Sequence, residues 1–580
     1  MKIRNIKLKI DLFIVIVVII GFTIFAFKCK IVYPIKWIGD TDEAAYAEMA
    51  DNLIHGKGFT NDYIQYSYFY SPTPQYPEIT HPEAHYATLY SILIAPFFLL
   101  LGKSAFAAKL PAMLISSTFL PVFLYLLTKR LSRSNIAGLA AALSIMIFPN
   151  IFSHSLIPDD DVLFTFMVLA SCFFIMKAHD SSKHFCYAGI FIGLTYYAKG
   201  VGLWLIPAYL IIFVILGGFR ILRNRKLWHC FAVALLVMLP WFVRNTIHFR
   251  NPIFTTQQYA AGYIGYEGWE QGTYSLYWDK DRPSLLAKFR HAGLNKTWET
   301  SKKSYKTYLW WAFVDINESW GNIQPKNLST YYTGIPSVLG LLLFFLSCAY
   351  SLFIRSPKRQ TGIAKNHRLD RFLMHWHNRD LHVLLFAEFF LMTFIAITWS
   401  PIGRLAFPFI AINMAIGWTT YHVAAKQAFK WMKYSGIIIS CLMVLLMCPV
   451  LFTSGGKVYR DYKNAGFPYG EGGQSWMETG KWIKENIPGS ITMFREPGQL
   501  HFYSEQKGVQ IPLAELDEIV KVMKFYKVTH IIPQVNIRPA LKPLVEGKMP
   551  GLKLVYDKGL KIYEIQYDLL PVGGPNEDRI

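Results

Sequence analysis

The sequence predicts a polytopic α-helical membrane protein with a C-terminal extracytoplasmic α/β domain, and three observations carry that prediction. The 580-residue chain is 53% hydrophobic and only 17% charged. Its apolar runs recur at about the length that crosses ~30 Å of hydrocarbon. Its basic residues fall in every second loop, the asymmetry that orients membrane helices. The stretches 1–11, 129–134, 177–184, 220–227, 355–382 and 425–434 hold 23 Lys and Arg against four Asp and no Glu, so they carry +19 of the chain's formal +21. Topology accounts for almost all of the positive charge, and no nucleic-acid surface is implied.

The elements follow in order. Residues 12–28 form an apolar run behind Lys2, Arg4, Lys7 and Lys9, too long for a usual signal-peptide core and without a small-residue cleavage site, so they read as a first span with the N-terminus inside. After an outer loop, 29–104, spans are expected near 105–128, 136–153, 162–176, 185–198, 201–219 and 229–248. A second outer loop, 249–334, leads to spans near 335–354, 383–400, 405–424 and 435–453, eleven in all, which leaves the C-terminus outside. The run 88–101 is only 14 residues long, and counting it as a span would put Lys129, Arg130 and Arg133 outside. It reads instead as an in-plane or re-entrant helix on the outer face. The membrane domain is thus 1–454. From 455 to 580 helical and strand-like patterns alternate, as in a small α/β domain, with no Gly-rich nucleotide fingerprint and no nucleophile elbow. A binding or stabilising role is expected of it. The seven cysteines lie in or beside spans and offer neither a disulfide framework nor zinc-ligand spacing.

The outer loops break the charge rule in two ways. They gather carboxylates, Asp40, Asp42 and Glu43 in one place and Asp159, Asp160 and Asp161 in another, and three isolated cations, Lys199, Arg244 and Arg404, stand at the same rim. Residues 42–55 read as a helix ended by Gly56, with Asp40 and Glu43 at N-cap and N3 positions. Asp42 heads the row Tyr46, Met49, Ala50 and Leu53, an apolar stripe where an acid is costly unless used. The plainer alternatives are that the acids cap helices and that the cations snorkel to head groups.

Six motifs in order resemble a family of membrane glycosyltransferases that includes dolichyl-phosphate-mannose protein mannosyltransferases and bacterial lipid A aminoarabinose transferases, of the GT-C fold. They are Asp42-Glu43-Ala-Ala-Tyr46, Gly102-Lys-Ser-Ala-Phe-Ala-Ala-Lys109-Leu, the acids 159–161, Tyr197-Ala-Lys199-Gly200, Pro240-Trp-Phe-Val-Arg244-Asn245 and Gly403-Arg404-Leu-Ala-Phe-Pro408. The similarity runs from about residue 35 to 410. Two aspartates stand where one usually takes the role, and His81-Pro-Glu-Ala-His85 replaces a proline-rich lead into the in-plane segment.

The resemblance implies a sugar moved from a polyprenyl-phosphate donor to an acceptor hydroxyl on a lipid, glycan or protein, at the outer face of a bacterial inner membrane. Lys199, Arg244 and Arg404 would hold the phosphate, and Asp42, with Glu43 and Asp40 as alternatives, would take the acceptor's proton, inverting the sugar. Tyr46, Asp160, His81 and His85 are expected to line the substrate. No cofactor is fixed. Oligosaccharyltransferases of the same broad fold use a divalent metal held by outer-loop acids, and the spacing of His81, Glu83 and His85 makes them metal-ligand candidates against a structural role. A metal-dependent oligosaccharide transferase is therefore the rival enzyme reading. A lipid-linked sugar flippase is the rival of another class, but the paired half-repeats it calls for are not evident. Trp269, Trp278, Trp298, Trp310, Trp311 and Trp320 in the second outer loop suit a lid over an acceptor or an interfacial belt.

Overall fold

The computed structural model describes residues 11–39, 41–65, 78–178, 180–256, 285–313, 379–398, 403–428, 438, 472–511, 516–533 and 542–570. Asp40 and the expected spans 335–354 and 435–453 lie outside the described residues.

Five helices among the described residues are long and apolar enough to cross a membrane: Leu12–Val32, Ala105–Ser132, Gly200–Gly217, Arg225–Phe249 and Arg379–Thr398. Label the first α1. At ~1.5 Å per residue its 21 residues reach about 32 Å, and Asp11 caps it by accepting the Phe13 N–H at 3.1 Å. Helix α2, Thr41–Ile54, follows in the outer loop. Helix α3, Leu89–Leu101, has 13 residues and so spans ~20 Å, short of a bilayer. Helix α4, Ala105–Ser132, is apolar enough to cross a membrane and starts where Ser104 accepts the Ala107 N–H. It is interrupted by a π-turn at Ile115–Phe119. There α1 approaches most closely: a Cβ on Gly21 would lie 2.2 Å from the Ser117 carbonyl oxygen, so a side chain is excluded.

The bundle continues with α5, Asn135–Met146, and the short α6, Pro149–His154. Next come α7, Asp161–Lys177, and α8, Lys183–Ala198, and then α9, Gly200–Gly217, and α10, Arg225–Phe249. Helix α11 is Leu285–Phe313, followed by α12, Arg379–Thr398, and α13, Phe407–Ala428. Groups that the charge rule places on one side meet one another. Arg130 donates to Asp380 at 2.7 Å and to Asp180 at 2.6 Å, joining three stretches expected inside.

Helix α11, broken at Gly293, falls within the expected outer loop 249–334. Its last turns are buried at Tyr308, Trp311 and Ala312, and the Ala312 carbonyl accepts from Asn413 within α13. The lysines earlier in the same helix mask this apolar end in any averaged hydropathy. Trp298 and Trp310 remain exposed; Trp269, Trp278 and Trp320 lie outside the described residues.

The C-terminal residues build α14, Gly472–Asn486, α15, Pro497–Ser504, and α16, Leu516–Phe525, around a six-stranded sheet. Its strands, numbered after β1 at Thr60–Asn61, are β2 Tyr63–Ile64, β4 Ile491–Phe494, β5 Lys507–Gln510, β6 His530–Ile531, β7 Leu552–Tyr556 and β8 Ile562–Ile565. The order is β2-β5-β4-β6-β8-β7, parallel from β2 to β6 and antiparallel through β8 and β7. Strand β2 comes from the first outer loop, so the sheet stitches that loop to the C-terminal unit. The remaining strand, β3 at His81–Pro82, pairs antiparallel with β1.

Candidate active site

The lead into α2 turns at Gly39, whose φ of +128° suits glycine alone, and Glu43 packs where a Cβ would stand. This turn delivers Asp42 to the rim of the bundle. Asp42 accepts from the Arg404 guanidinium at 2.7 Å and from the Tyr86 hydroxyl at 3.0 Å. Arg404, in the 3-10 turn before α13, donates also to Asp159 at 2.9 Å, and its Nε lies 3.7 Å from Asp161.

Lys199 sits in extended backbone at the C-terminal end of α8 and donates to Asp161 at 2.6 Å and to Asp160. Tyr46, one turn along α2 from Asp42, donates to Asp160 at 2.7 Å. Asp42, Tyr46, Asp160, Lys199 and Arg404 are thus brought together from four separate segments of the chain.

Four carboxylates, Asp42 and Asp159 to Asp161, face two cations, Lys199 and Arg404. The imbalance is resolved unevenly. Burial pushes the Asp160 carboxyl above the usual carboxylate range although Lys199 pulls the other way. At Asp161 burial acts alike, but Lys199 and Arg404 together outweigh it and hold the carboxyl below that range. The same acids raise Lys199 against the effect of its own burial.

His154, at the end of α6, is the residue the sequence reading missed. Burial holds its imidazole down at about 4, so it is neutral at physiological pH. Its Nδ1 lies 3.9 Å from Asp161 Oδ2, and both atoms are buried with no hydrogen-bond partner among the described residues. The ligand atoms of His154, Asp159 and Asp161 lie within 4.8 Å of one another, a donor set of the kind that holds a divalent cation. A lone histidine after an apolar run carries no signal of this.

The remaining expected residues form an adjoining support. Glu83 accepts from the backbone N–H groups of His85 and Tyr86 and from Asn61, which holds the turn that carries Tyr86. His81 pairs with the Ile79 carbonyl and His85 with the Thr256 hydroxyl, each at Nδ1. Burial lowers both imidazoles. Arg244 is tied to the carbonyls of Glu83 at 2.6 Å and Phe59 at 2.9 Å, with its guanidinium 4.3 Å over Trp241. It fastens the loop behind Tyr86. Among the described residues the metal-competent groups are His154, Asp159 and Asp161, and a second set of Glu48, Asp62 and His501; the trio of His81, Glu83 and His85 is not one of them.

Residues 84–243 match the family described as dolichyl-phosphate-mannose-protein mannosyltransferase. No curated protein matches the chain in sequence. Among solved structures the chain resembles the oligosaccharyltransferase of Archaeoglobus fulgidus tethered with an acceptor peptide. Identity is 15%, with 95% of this chain and 74% of that one covered and a TM-score of 0.53. The same enzyme in complex with Zn and sulfate aligns over 94% of this chain and 73% of that one, at 15% identity and a TM-score of 0.52. ArnT from Cupriavidus metallidurans also aligns, over 97% of this chain and 99% of that one, at 13% identity and a TM-score of 0.45. The chain therefore has the fold of the archaeal oligosaccharyltransferase and carries, across residues 84–243, the sequence pattern of the dolichyl-phosphate-mannose-protein mannosyltransferases.

Proposed function

We propose that this protein is a membrane glycosyltransferase that moves a sugar from a polyprenyl-phosphate donor to an acceptor hydroxyl at the extracytoplasmic face of a bacterial inner membrane. One observation carries the reading: Asp42, Lys199 and Arg404, far apart in sequence, converge on a single cluster with Asp159 to Asp161. The match of residues 84–243 to the dolichyl-phosphate-mannose-protein mannosyltransferase family supports the donor class.

In the proposed reaction the donor phosphate displaces Asp160 and Asp161 from Lys199 and Asp159 from Arg404, which keeps its bond to Asp42. Asp42 accepts the proton of the acceptor hydroxyl. The hydroxyl oxygen forms the new bond at the anomeric carbon as the bond to phosphate breaks, and polyprenyl phosphate leaves with the electron pair. Attack from the face opposite the phosphate inverts the anomeric centre. Tyr86 and Arg404 fix the Asp42 carboxylate for that transfer, a step typically worth ~10² to 10⁴ in rate.

His154, Asp159 and Asp161 would hold a divalent cation, which when bound would supply positive charge for the leaving phosphate. That donor set and the shared fold favour a second reading, metal-dependent transfer of a longer glycan.

The test uses purified full-length protein in lipid nanodiscs with radiolabelled polyprenyl-phosphate sugars and candidate acceptors, with and without chelator. Asp42→Asn is expected to lose transfer by about 10² or more while binding donor. Normal transfer by that variant refutes the base assignment. No consumption of any labelled donor by the wild type refutes the enzyme reading, and complete dependence on added cation selects the second one.

A further inference from the structure

The exposed face of α11 carries cations that the candidate site does not use. We propose that Lys302, Lys303 and Lys306 form a docking rim for lipid phosphate and collect the polyprenyl-phosphate donor from the outer leaflet for Arg404. This rests on the donor class and the orientation proposed above.

The helix sorts its residues by face. After the break at Gly293 it runs ~30 Å to Phe313, with Thr297, Ser301, Ser304, Tyr308 and Ala312 buried at spacings of three and four. Away from them Lys302, Lys303 and Lys306 are exposed, and the same spacing continues their face to Leu309 and Trp310, exposed at 37% and 52%. Glu299 is the one acid between Gly293 and Phe313, against four lysines. Among the described residues Lys302, Lys303 and Lys306 are in no ion pair. The charge rule keeps lysines scarce in outer loops, which marks this group out.

Packing fixes the height of the lysines. The Tyr308 ring stands 6.2 Å from the Phe409 ring, and one turn further on the Ala312 carbonyl accepts from Asn413 at 3.3 Å, so α11 and α13 run side by side in the same direction. Asn413 lies six residues into the bundle from Phe407, the first residue of α13, or ~9 Å. Lys306 stands six residues before Ala312 and is therefore level with Phe407, at the mouth of the bundle. Lys302 and Lys303 are one turn higher. That level is also the level of Arg404, since the turn Gly403–Ala406 leads directly into α13 and α11 packs on it.

The candidate site calls for a rim of this sign. Asp42 and Asp159 to Asp161 outnumber Lys199 and Arg404, so a phosphate approaching from the membrane meets a negative field. Three ammonium groups at the entrance reverse that field and raise the local concentration of a diffusing anion.

The apolar continuation of the face selects a lipid. Leu309 and Trp310 turn outward one turn below Lys306, the arrangement of a helix at a membrane interface, with the ring among head groups and the ammonium groups reaching phosphate above it. A soluble acidic peptide would meet the lysines and gain nothing from the apolar pair. A polyprenyl phosphate offers both a charged head and a tail.

The test uses full-length protein in phosphatidylcholine nanodiscs, reading equilibrium binding of radiolabelled polyprenyl phosphate beside sugar transfer from the labelled donor. In the wild type the Kd and the donor KM are expected to rise about tenfold as NaCl goes from about 50 mM to about 500 mM. Lys302→Gln, Lys303→Gln and Lys306→Gln combined should begin about tenfold weaker in both and respond little to salt, with kcat steady. Lys302→Arg, Lys303→Arg and Lys306→Arg combined should keep the wild-type values. Adding phosphatidylglycerol should raise the donor KM of the wild type by competition and leave the glutamine variant unmoved. Equal Kd and equal salt response in the wild type and the glutamine variant overturn the proposal. Binding that is unchanged by Trp310→Ser and displaced by inorganic phosphate as readily as by the lipid also overturns it, in favour of a soluble anion. Lysine-dependent binding of polyprenyl phosphate without sugar transfer by the wild type leaves the rim and sinks the enzyme reading. Transfer with a donor KM indifferent to the three lysines does the reverse.

Discussion

Two buried charge clusters face α2, and they serve different parts of the chain. At the candidate site Asp42 and Asp159 to Asp161 outnumber Lys199 and Arg404, and among the described residues His154 Nδ1 and Asp161 Oδ2 have no hydrogen-bond partner. In the second cluster Glu48, Asp51 and Asp62 meet Lys57, Lys103 and His501, which ties α2 to α15 and to the turn before β2. The excess of carboxylates in the first gives it charge to exchange with a ligand, which is why we assign chemistry to it and holding to the second.

Removing a cation from each cluster should break the comparison most sharply. Arg404→Ala leaves Asp42, Asp159 and Asp161 without their shared partner and takes away a phosphate ligand, so transfer should fall by about 10³. Donor binding should weaken with it, read by equilibrium binding of labelled lipid. Lys103→Ala is expected to cost stability without changing the donor Kd. Equal losses of donor affinity in both variants would erase the distinction between the clusters.

Divalent cation binding is the next test. Calorimetry with Mn²⁺ on wild type should detect a site that His154→Ala weakens by about tenfold to 100-fold, while Glu83→Gln leaves it unaltered. Binding unaffected by His154→Ala would move the cation elsewhere.

The second cluster gives a smaller, pH-dependent effect with a defined sign. His501 is raised above its unfolded value, so its contribution is complete below about pH 6.5 and is lost as pH climbs through the folded value. Glu48 is depressed to about 2, so its contribution is complete above its unfolded pKa and fades only in strong acid. Docking of the C-terminal unit should therefore be tightest in weakly acidic medium and loosen toward alkaline pH. Thermal unfolding followed by tryptophan fluorescence, with Trp37 stacked at that interface, reports it. A midpoint that rises with pH refutes the ionic account.

The contrast also explains what the sequence could disclose. Long apolar runs and alternating loop charge located the helices, because span length and charge asymmetry are imposed by the bilayer on each segment separately. Cations in loops of the wrong sign pointed to Lys199 and Arg404. The same signal was raised by Arg244, whose donors meet the Glu83 and Phe59 carbonyls, and a backbone acceptor has no residue identity to read. His154 was invisible because its partner Asp161 is met only after the chain turns between α6 and α7. The packing of the end of α11 against α13 was hidden by its lysines, and the joining of Tyr63 to a strand more than four hundred residues later leaves no local trace.

Tyr86 offers the finest test, because it belongs to neither cluster and links the site to its support. Its backbone N–H is held by Glu83 and its hydroxyl donates to Asp42 at 3.0 Å, so it orients the carboxylate without carrying charge. Tyr86→Phe keeps the ring against Tyr46 and removes only that donor. Since Arg404 still pairs with Asp42, the loss should approach that of one ordinary hydrogen bond, about 1 kcal/mol or roughly fivefold in kcat, with donor KM steady. A loss as large as that of Asp42→Asn would mean that the hydroxyl itself relays the proton. No loss at all would mean that Arg404 alone sets the carboxylate, and that the loop fastened by Arg244 serves the acceptor rather than the base.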